Sequence, residues 1–147
     1  MNIVKIQQEL IKDCLSGKAH KWFMQKTDTE VILFNRYQMF LLDNKDFLLK
    51  YEKLVGAGVK ESVAANKILD SADDATLAIR TGCLKTVNKC TLLELEKADN
   101  GELVYVDQSL LKYYDKSADA CVINRKSPVF IYESDILVGV VLPYKVG

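Results

Sequence analysis

The stretch ELVYVDQSLLKYYDKSADACVINRKSPVFIYESDILVGVVLPYKV, Glu102 to Val146, holds strand-like and helix-like patterning side by side, and its reading decides the fold class. After the turn signal Asp99-Asn100-Gly101, the run Leu103 to Val106 has the β-branched character of a strand. Asp107 is a natural helix cap, and Leu110, Leu111 and Tyr114 lay a narrow apolar stripe on a helix from Asp107 to Lys116. Two strands follow, Cys121 to Tyr132 and Ile136 to Leu142, joined through the turn Glu133-Ser134-Asp135. A helix set among consecutive strands implies an α+β domain in which helices cover an antiparallel sheet.

The rest of the chain extends this pattern. Thr76 to Arg80, Leu84 to Val87 and Thr91 to Glu96 read as strands, and so does the earlier meander of Trp22 to Gln25, Val31 to Phe34 and Tyr37 to Leu42. At the start, Ile3, Ile6, Leu10 and Cys14 recur at helical spacing, joined by Val4, Ile11 and Leu15, so Asn2 to Leu15 is an amphipathic helix ending near Gly17. A further helix, capped by Asp43 or Asn44, carries Phe47, Leu48, Tyr51, Leu54 and Val55 on one face and stops at Gly56-Ala57-Gly58. Val59 to Leu69 fits either a short helix or an extended connection. The sequence shows no internal repeat and no low-complexity linker, so residues 1–147 read as one domain.

Composition narrows the function classes. Lys plus Arg and Asp plus Glu stand at 20 each, so there is no overall field to draw in nucleic acid or anionic lipid, and any charged partner must meet a local patch. The opening MNIVKIQQEL lacks the form of a signal peptide, and no apolar run reaches the roughly 20 residues of a bilayer span, so the expectation is a soluble cytoplasmic protein with no membrane partner. Cys14, Cys83, Cys90 and Cys121 form no C-x-x-C pair, and the one histidine, His20, does not complete a zinc set, so free thiols are expected and neither a metal nor a cofactor.

Three constellations bear on chemistry. His20 with Lys18, Lys21 and Trp22 has the composition of a small basic and aromatic contact surface, or of a solvated strand entry with Trp22 packed inward. Asp70, Asp73 and Asp74 supply carboxylates without the spacing of a calcium loop. Neither G-x-S-x-G, P-loop nor G-x-G-x-x-G occurs, so nothing nominates a nucleophile or a nucleotide site, and the expectation is a binding protein with no catalytic residues.

The order of elements from Glu102 to Val146 resembles the closing segment of a bacterial DNA polymerase processivity factor, the β sliding clamp. A strand with Val104 and Val106 leads to a helix with Leu110 and Leu111, then to Ser127-Pro128-Val129, then to a final strand ending Val140-Val141-Leu142-Pro143-Tyr144-Lys145. Family members typically end in a methionine-proline-methionine-arginine-like sequence, where this chain has Leu142 to Lys145. The resemblance covers about a third of the chain; a clamp subunit carries several such domains, whereas this chain holds one.

The resemblance implies a DNA clamp-like fold with two amphipathic helices packed on antiparallel sheet. It implies two surfaces as well: Lys5, Lys12, Lys112 and Lys116 as nucleic-acid contacts on the helices, and Val140, Leu142, Pro143 and Tyr144 as part of a pocket for short partner peptides. The function implied is a non-catalytic protein, of a kind a phage could encode, that meets duplex DNA or a replication partner as an oligomer, since one domain does not encircle a duplex. The alternative is a protein interaction module or structural adaptor that never binds DNA.

Overall fold

A computed structural model describes residues 1–146 of the 147-residue chain. It opens with helix α1, Ile3–Leu15, whose first turn is closed by Asn2 Oδ1 accepting the Lys5 N–H at 3.0 Å. Gly17, at φ +76°, lets the chain turn away after the helix. Ile6 and Leu10 are fully buried, whereas Val4, Ile11 and Leu15 are 58%, 39% and 85% exposed. The apolar face is thus narrower than the spacing suggested, and those three residues form a separate stripe towards solvent.

The meander β1 (Phe23–Lys26), β2 (Glu30–Phe34) and β3 (Gln38–Asp43) lies within a residue or two of expectation. Its turns are held by side chains: Thr27 Oγ1 accepts the Glu30 N–H, and Asn35 Oδ1 accepts those of Tyr37 and Gln38. At the helix expected from Asp43 onward, Asp43 does cap, accepting the Lys45 N–H at 3.1 Å, but only a 3-10 turn over Asn44–Asp46 results; the α-helix begins later, as α2, Tyr51–Ala57, and ends at Gly58 with φ +112°. The residues between are diverted by α1. The buried Gln7 donates to the Asp46 carbonyl at 3.0 Å and accepts the Leu48 N–H at 2.7 Å, which satisfies a buried amide and holds this stretch out of a helix.

The ambiguous stretch contains a two-residue strand, β4 (Lys60–Glu61), parallel to β1, and a short helix, α3 (Ala65–Asp70). The two strands expected between Thr76 and Val87 are one, β5 (Thr76–Val87), with a register shift between Arg80 and Leu84 and Gly82 at φ +86°. It turns through Asn88 and Lys89, both at positive φ, into β6 (Cys90–Lys97), the two-residue connection that suits a twisted hairpin. β7 (Leu103–Asp107) follows.

The second amphipathic helix expected from Asp107 to Lys116 does not form. Asp107 does cap, accepting the Ser109 N–H at 2.9 Å, but only a 3-10 turn over Gln108–Leu111 results. The chain then bends so that Tyr113 and Tyr114 both enter the core, which neighbouring positions on one helix face cannot both do at full depth. The Tyr113 carbonyl accepts the Asn2 N–H at 2.6 Å and the Asp115 N–H donates to Glu133 at 2.9 Å, fixing the bend. The run Cys121 to Tyr132 is likewise two strands, β8 (Asp119–Val122) and β9 (Val129–Glu133), separated by a turn in which Ser127 Oγ accepts the N–H groups of Ile123 and Asn124. β10 is Ile136–Val141.

All ten strands join in one sheet, ordered β4-β1-β2-β3-β10-β9-β8-β5-β6-β7. At its centre β3 and β10 pair antiparallel, Phe40 opposite Gly139. On either side lies a three-strand meander preceded by a helical segment, α1 before β1 to β3 and the 108–111 turn before β8 to β10. This duplication is visible in the topology although the sequence shows no repeat. Alternation along the strands feeds two cores. One gathers Leu33, Phe40 and Ile131 beneath α1 and Tyr113–Tyr114, and the other gathers Ile32, Met39, Phe130 and Val140 on the opposite face, next to Ala65 and Ile68 of α3.

Tyr114 lies directly over Gly139: a Cβ built there would meet the Tyr114 hydroxyl at 1.9 Å. Gly139→Ala is therefore expected to destabilise by at least about 1–3 kcal/mol through forced repacking, read as a lowered urea midpoint with an unchanged m-value. An unaltered midpoint would remove Tyr114 from the centre of the sheet. A second prediction concerns Glu30, which faces Asp43 across β2 and β3. Burial first, then the Asp43 charge, raises its carboxyl above the ordinary range. The folded state therefore favours the protonated form, and stability is lost as pH rises through the folded pKa. Glu30→Gln is expected to gain a few tenths of a kcal/mol at neutral pH. That gain should vanish below about pH 4, where Glu30 is protonated in the folded and unfolded chain alike. A gain that persists at low pH would contradict the assignment.

Candidate peptide groove and lysine face

Three of the four residues assigned to peptide binding come together. After β10 the chain runs on as a tail pinned at two points: the Leu142 N–H donates to the Tyr37 carbonyl at 2.9 Å, and the Tyr144 N–H to the Tyr105 carbonyl at 2.8 Å. The tail thereby bridges from the β3 side of the sheet to the outer edge of β7, and Asn88 Nδ2 adds a bond to the Tyr144 hydroxyl at 3.3 Å. Between tail and sheet is a groove of about 650 Å³ lined by Tyr37, Leu110, Leu142, Pro143 and Tyr144, with Arg36, Asp107 and Lys145 also at its walls. Tyr37 is 56% exposed and Leu142 41%, so both present apolar surface to the groove and to solvent.

Val140 is placed differently. It is 2% exposed, belongs to the second core, and contributes to a narrower cleft of about 80 Å³ beside the groove, with Phe34, Gln38, Met39 and Ile68. Arg36, Tyr37 and Leu142 are common to both cavities. Gln38 lines the narrow cleft, and its Oε1 is buried with no protein hydrogen-bond partner. The contribution of Arg36, Tyr37 and Gln38 escaped the sequence reading. Asn35-Arg36 looks like a mere separator of strands there; the available signal was an aromatic residue directly following a polar turn.

The four lysines gather only in part. Lys5, Glu9 and Lys12 follow one another at helical spacing along α1. Lys112 reaches the same row, its Nζ 3.8 Å from Glu9 Oε1 and 5.1 Å from the Tyr113 ring centroid, while Lys5 Nζ stands 5.9 Å from that centroid. Tyr113 thus has two cations near its ring, and burial holds its hydroxyl above the usual tyrosine range. Lys116 is exposed in the turn that leads to β8. One lysine is thus occupied with Glu9, and Val4, Ile11 and Leu15 break up the exposed polar surface of α1.

The other constellations resolve simply. Trp22 packs inward, 4% exposed, and donates from Nε1 to Asp13 Oδ2 at 2.8 Å, tying the end of α1 to β1, while His20 is exposed. Asp70, Asp73 and Asp74 are exposed around the end of α3. The four cysteines are unpaired, and among the described residues no three His, Cys, Asp or Glu side chains are grouped to hold a metal ion. Burial raises the thiols of Cys14 and Cys121, which lowers their reactivity. Among the described residues no helix is long and apolar enough to cross a membrane.

Comparison with known proteins finds no family model, no curated protein and no solved structure that matches this chain.

Proposed function

We propose that this chain is a non-catalytic binding protein of clamp-like design, whose groove beside the C-terminal tail takes a short apolar segment of a replication partner. The observation that carries the reading is the convergence of Leu142, Pro143 and Tyr144, the residues that the clamp resemblance assigns to peptide binding, on one groove with the half-open side chain of Tyr37. The groove has the properties of an anchor site: aromatic and aliphatic walls, already formed, with only a few polar groups. Arg36 and Lys145 at its walls, against the single acid Asp107, favour an acidic residue flanking the anchor. The resemblance leaves part of the pocket to a neighbouring domain, so self-association of this chain would complete it.

The test is titration with an acetylated peptide carrying adjacent leucine and phenylalanine beside an aspartate, followed by chemical-shift changes. Tyr37→Ala and Leu142→Asp, both at exposed positions, are each expected to weaken binding by about tenfold or more with little effect on melting. Wild-type affinity in both variants would sink the groove as the site.

Duplex DNA is the second reading, favoured by the row of Lys5 and Lys12 on α1 with Lys112 beside it. Phosphate contacts of this kind are expected to be weak and to lose affinity with salt, with a log-log slope of about −0.9 per phosphate neutralised. Reversal of charge at Lys5, Lys12, Lys112 and Lys116 is expected to abolish them. Light scattering with DNA titration at low salt decides: a monomer that binds no duplex leaves the protein interaction module as the account.

A further inference from the structure

In the sheet order β7 lies five strands from β10, a span of about 24 Å in a flat sheet at about 4.8 Å per strand. Yet the Leu142 N–H reaches the Tyr37 carbonyl and, two residues on, the Tyr144 N–H reaches the Tyr105 carbonyl in β7. Two extended residues cover only about 7 Å. The sheet is therefore curled until the outer edge of β7 approaches the end of β10, and the tail spans the gap.

This span is lightly held. Pro143, between the two anchors, has no N–H to donate. Leu142 and Val146 are 41% and 39% exposed, so little apolar burial secures the tail. Leu142 sits at the root, one residue beyond β10, and is anchored with that strand. The far end depends on Tyr144, and there the turn between β5 and β6 takes part. Asn88 Nδ2 donates to the Tyr144 hydroxyl at 3.3 Å, the only hydrogen bond of its side chain among the described residues. Asn88 stands at φ +48°, a conformation that glycine also adopts, so the turn itself does not call on its amide.

With the tail swung off β7, Pro143, Tyr144 and Lys145 leave the groove lining, and Tyr37, Leu110 and Asp107 remain. The groove is thus complete only in the closed form. We infer that the tail is a strap hinged at Leu142–Pro143, and that Asn88 is the positioning residue that latches it shut through Tyr144. A single neutral hydrogen bond shifts a local equilibrium by about two- to tenfold, enough to bias the strap without locking it. Where the inference rests on the groove reading, the strap regulates entry: an occupant that binds only the closed groove favours closure, and closure favours the occupant by the same factor.

The latch is read by amide hydrogen exchange of the full chain without ligand. Asn88→Gly keeps the turn and Tyr144→Phe keeps the ring, so both variants are expected to fold. Each is expected to speed exchange at the Tyr144 amide by about two- to tenfold, with the Leu142 amide and those of β5 and β6 at their wild-type rates. The double variant is expected to exchange no faster than the faster single, since both remove the same bond. An unchanged Tyr144 rate in either single variant, or additive effects in the double, overturns the latch. Equal acceleration at Leu142 overturns the hinge. The second arm uses the leucine-phenylalanine-aspartate peptide of the groove titration. Bound peptide is expected to slow the Tyr144 amide of the wild-type chain, and an unchanged rate alongside binding seen by chemical shift overturns the regulation. No binding to the wild-type chain sinks the groove reading alone, and the latch is then decided by the exchange rates of the free variants.

Discussion

The architecture depends on Tyr114 lying against a strand position that has no side chain. Gly139 in β10 leaves the space, Tyr114 fills it, and Phe40, the partner of Gly139 in β3, is packed against the rings of both Tyr113 and Tyr114, at centroid distances of 5.0 Å and 6.2 Å. One aromatic cluster therefore covers the seam at which the two meanders meet. The Tyr114 hydroxyl lies 3.5 Å from the Met39 carbonyl, a long contact, so packing and not this bond secures the ring. Burial also raises that hydroxyl well above the ordinary tyrosine range.

The same cluster explains how the two helical segments come to differ. α1 lies along the sheet with Ile6 and Leu10 as its buried contacts, and its geometry asks for nothing beyond helical periodicity. The segment after β7 has to deliver two adjacent aromatic rings to the core, and an α-helix separates neighbouring side chains by about 100°. A single 3-10 turn followed by a bend achieves that delivery. Lys112 and Lys5 then stand close to Tyr113 because both segments converge on its ring.

Much of the fold was legible in the sequence where local chemistry decides it. The first helix, the first meander and the final hairpin follow from periodicity and turn residues, and the α+β class follows from their order. What was not legible depends on long-range partners. Leu110, Leu111 and Tyr114 have helical spacing, but Glu133 and Asn2 hold the segment out of a helix; Phe47 and Leu48 fit a helix face, but Gln7 claims the Leu48 N–H. At the candidate groove, Leu142, Pro143 and Tyr144 are nominated through a resemblance to a known ending, and they line one groove. Tyr37 and Arg36 were not, because the turn that carries them meets the tail only after the sheet has formed. The clamp-like reading is a proposal carried by that resemblance.

The seam between β3 and β10 also sets the order in which the chain can fold. Each meander is built from contacts a few residues apart, but Met39 and Phe40 find Val140 and Gly139 only across about a hundred residues of intervening chain. During synthesis the first meander therefore has one edge unpaired until β10 has left the ribosome. In that interval Met39 and Phe40 lie on an open strand beside Leu33, an apolar surface of the kind that chaperones hold.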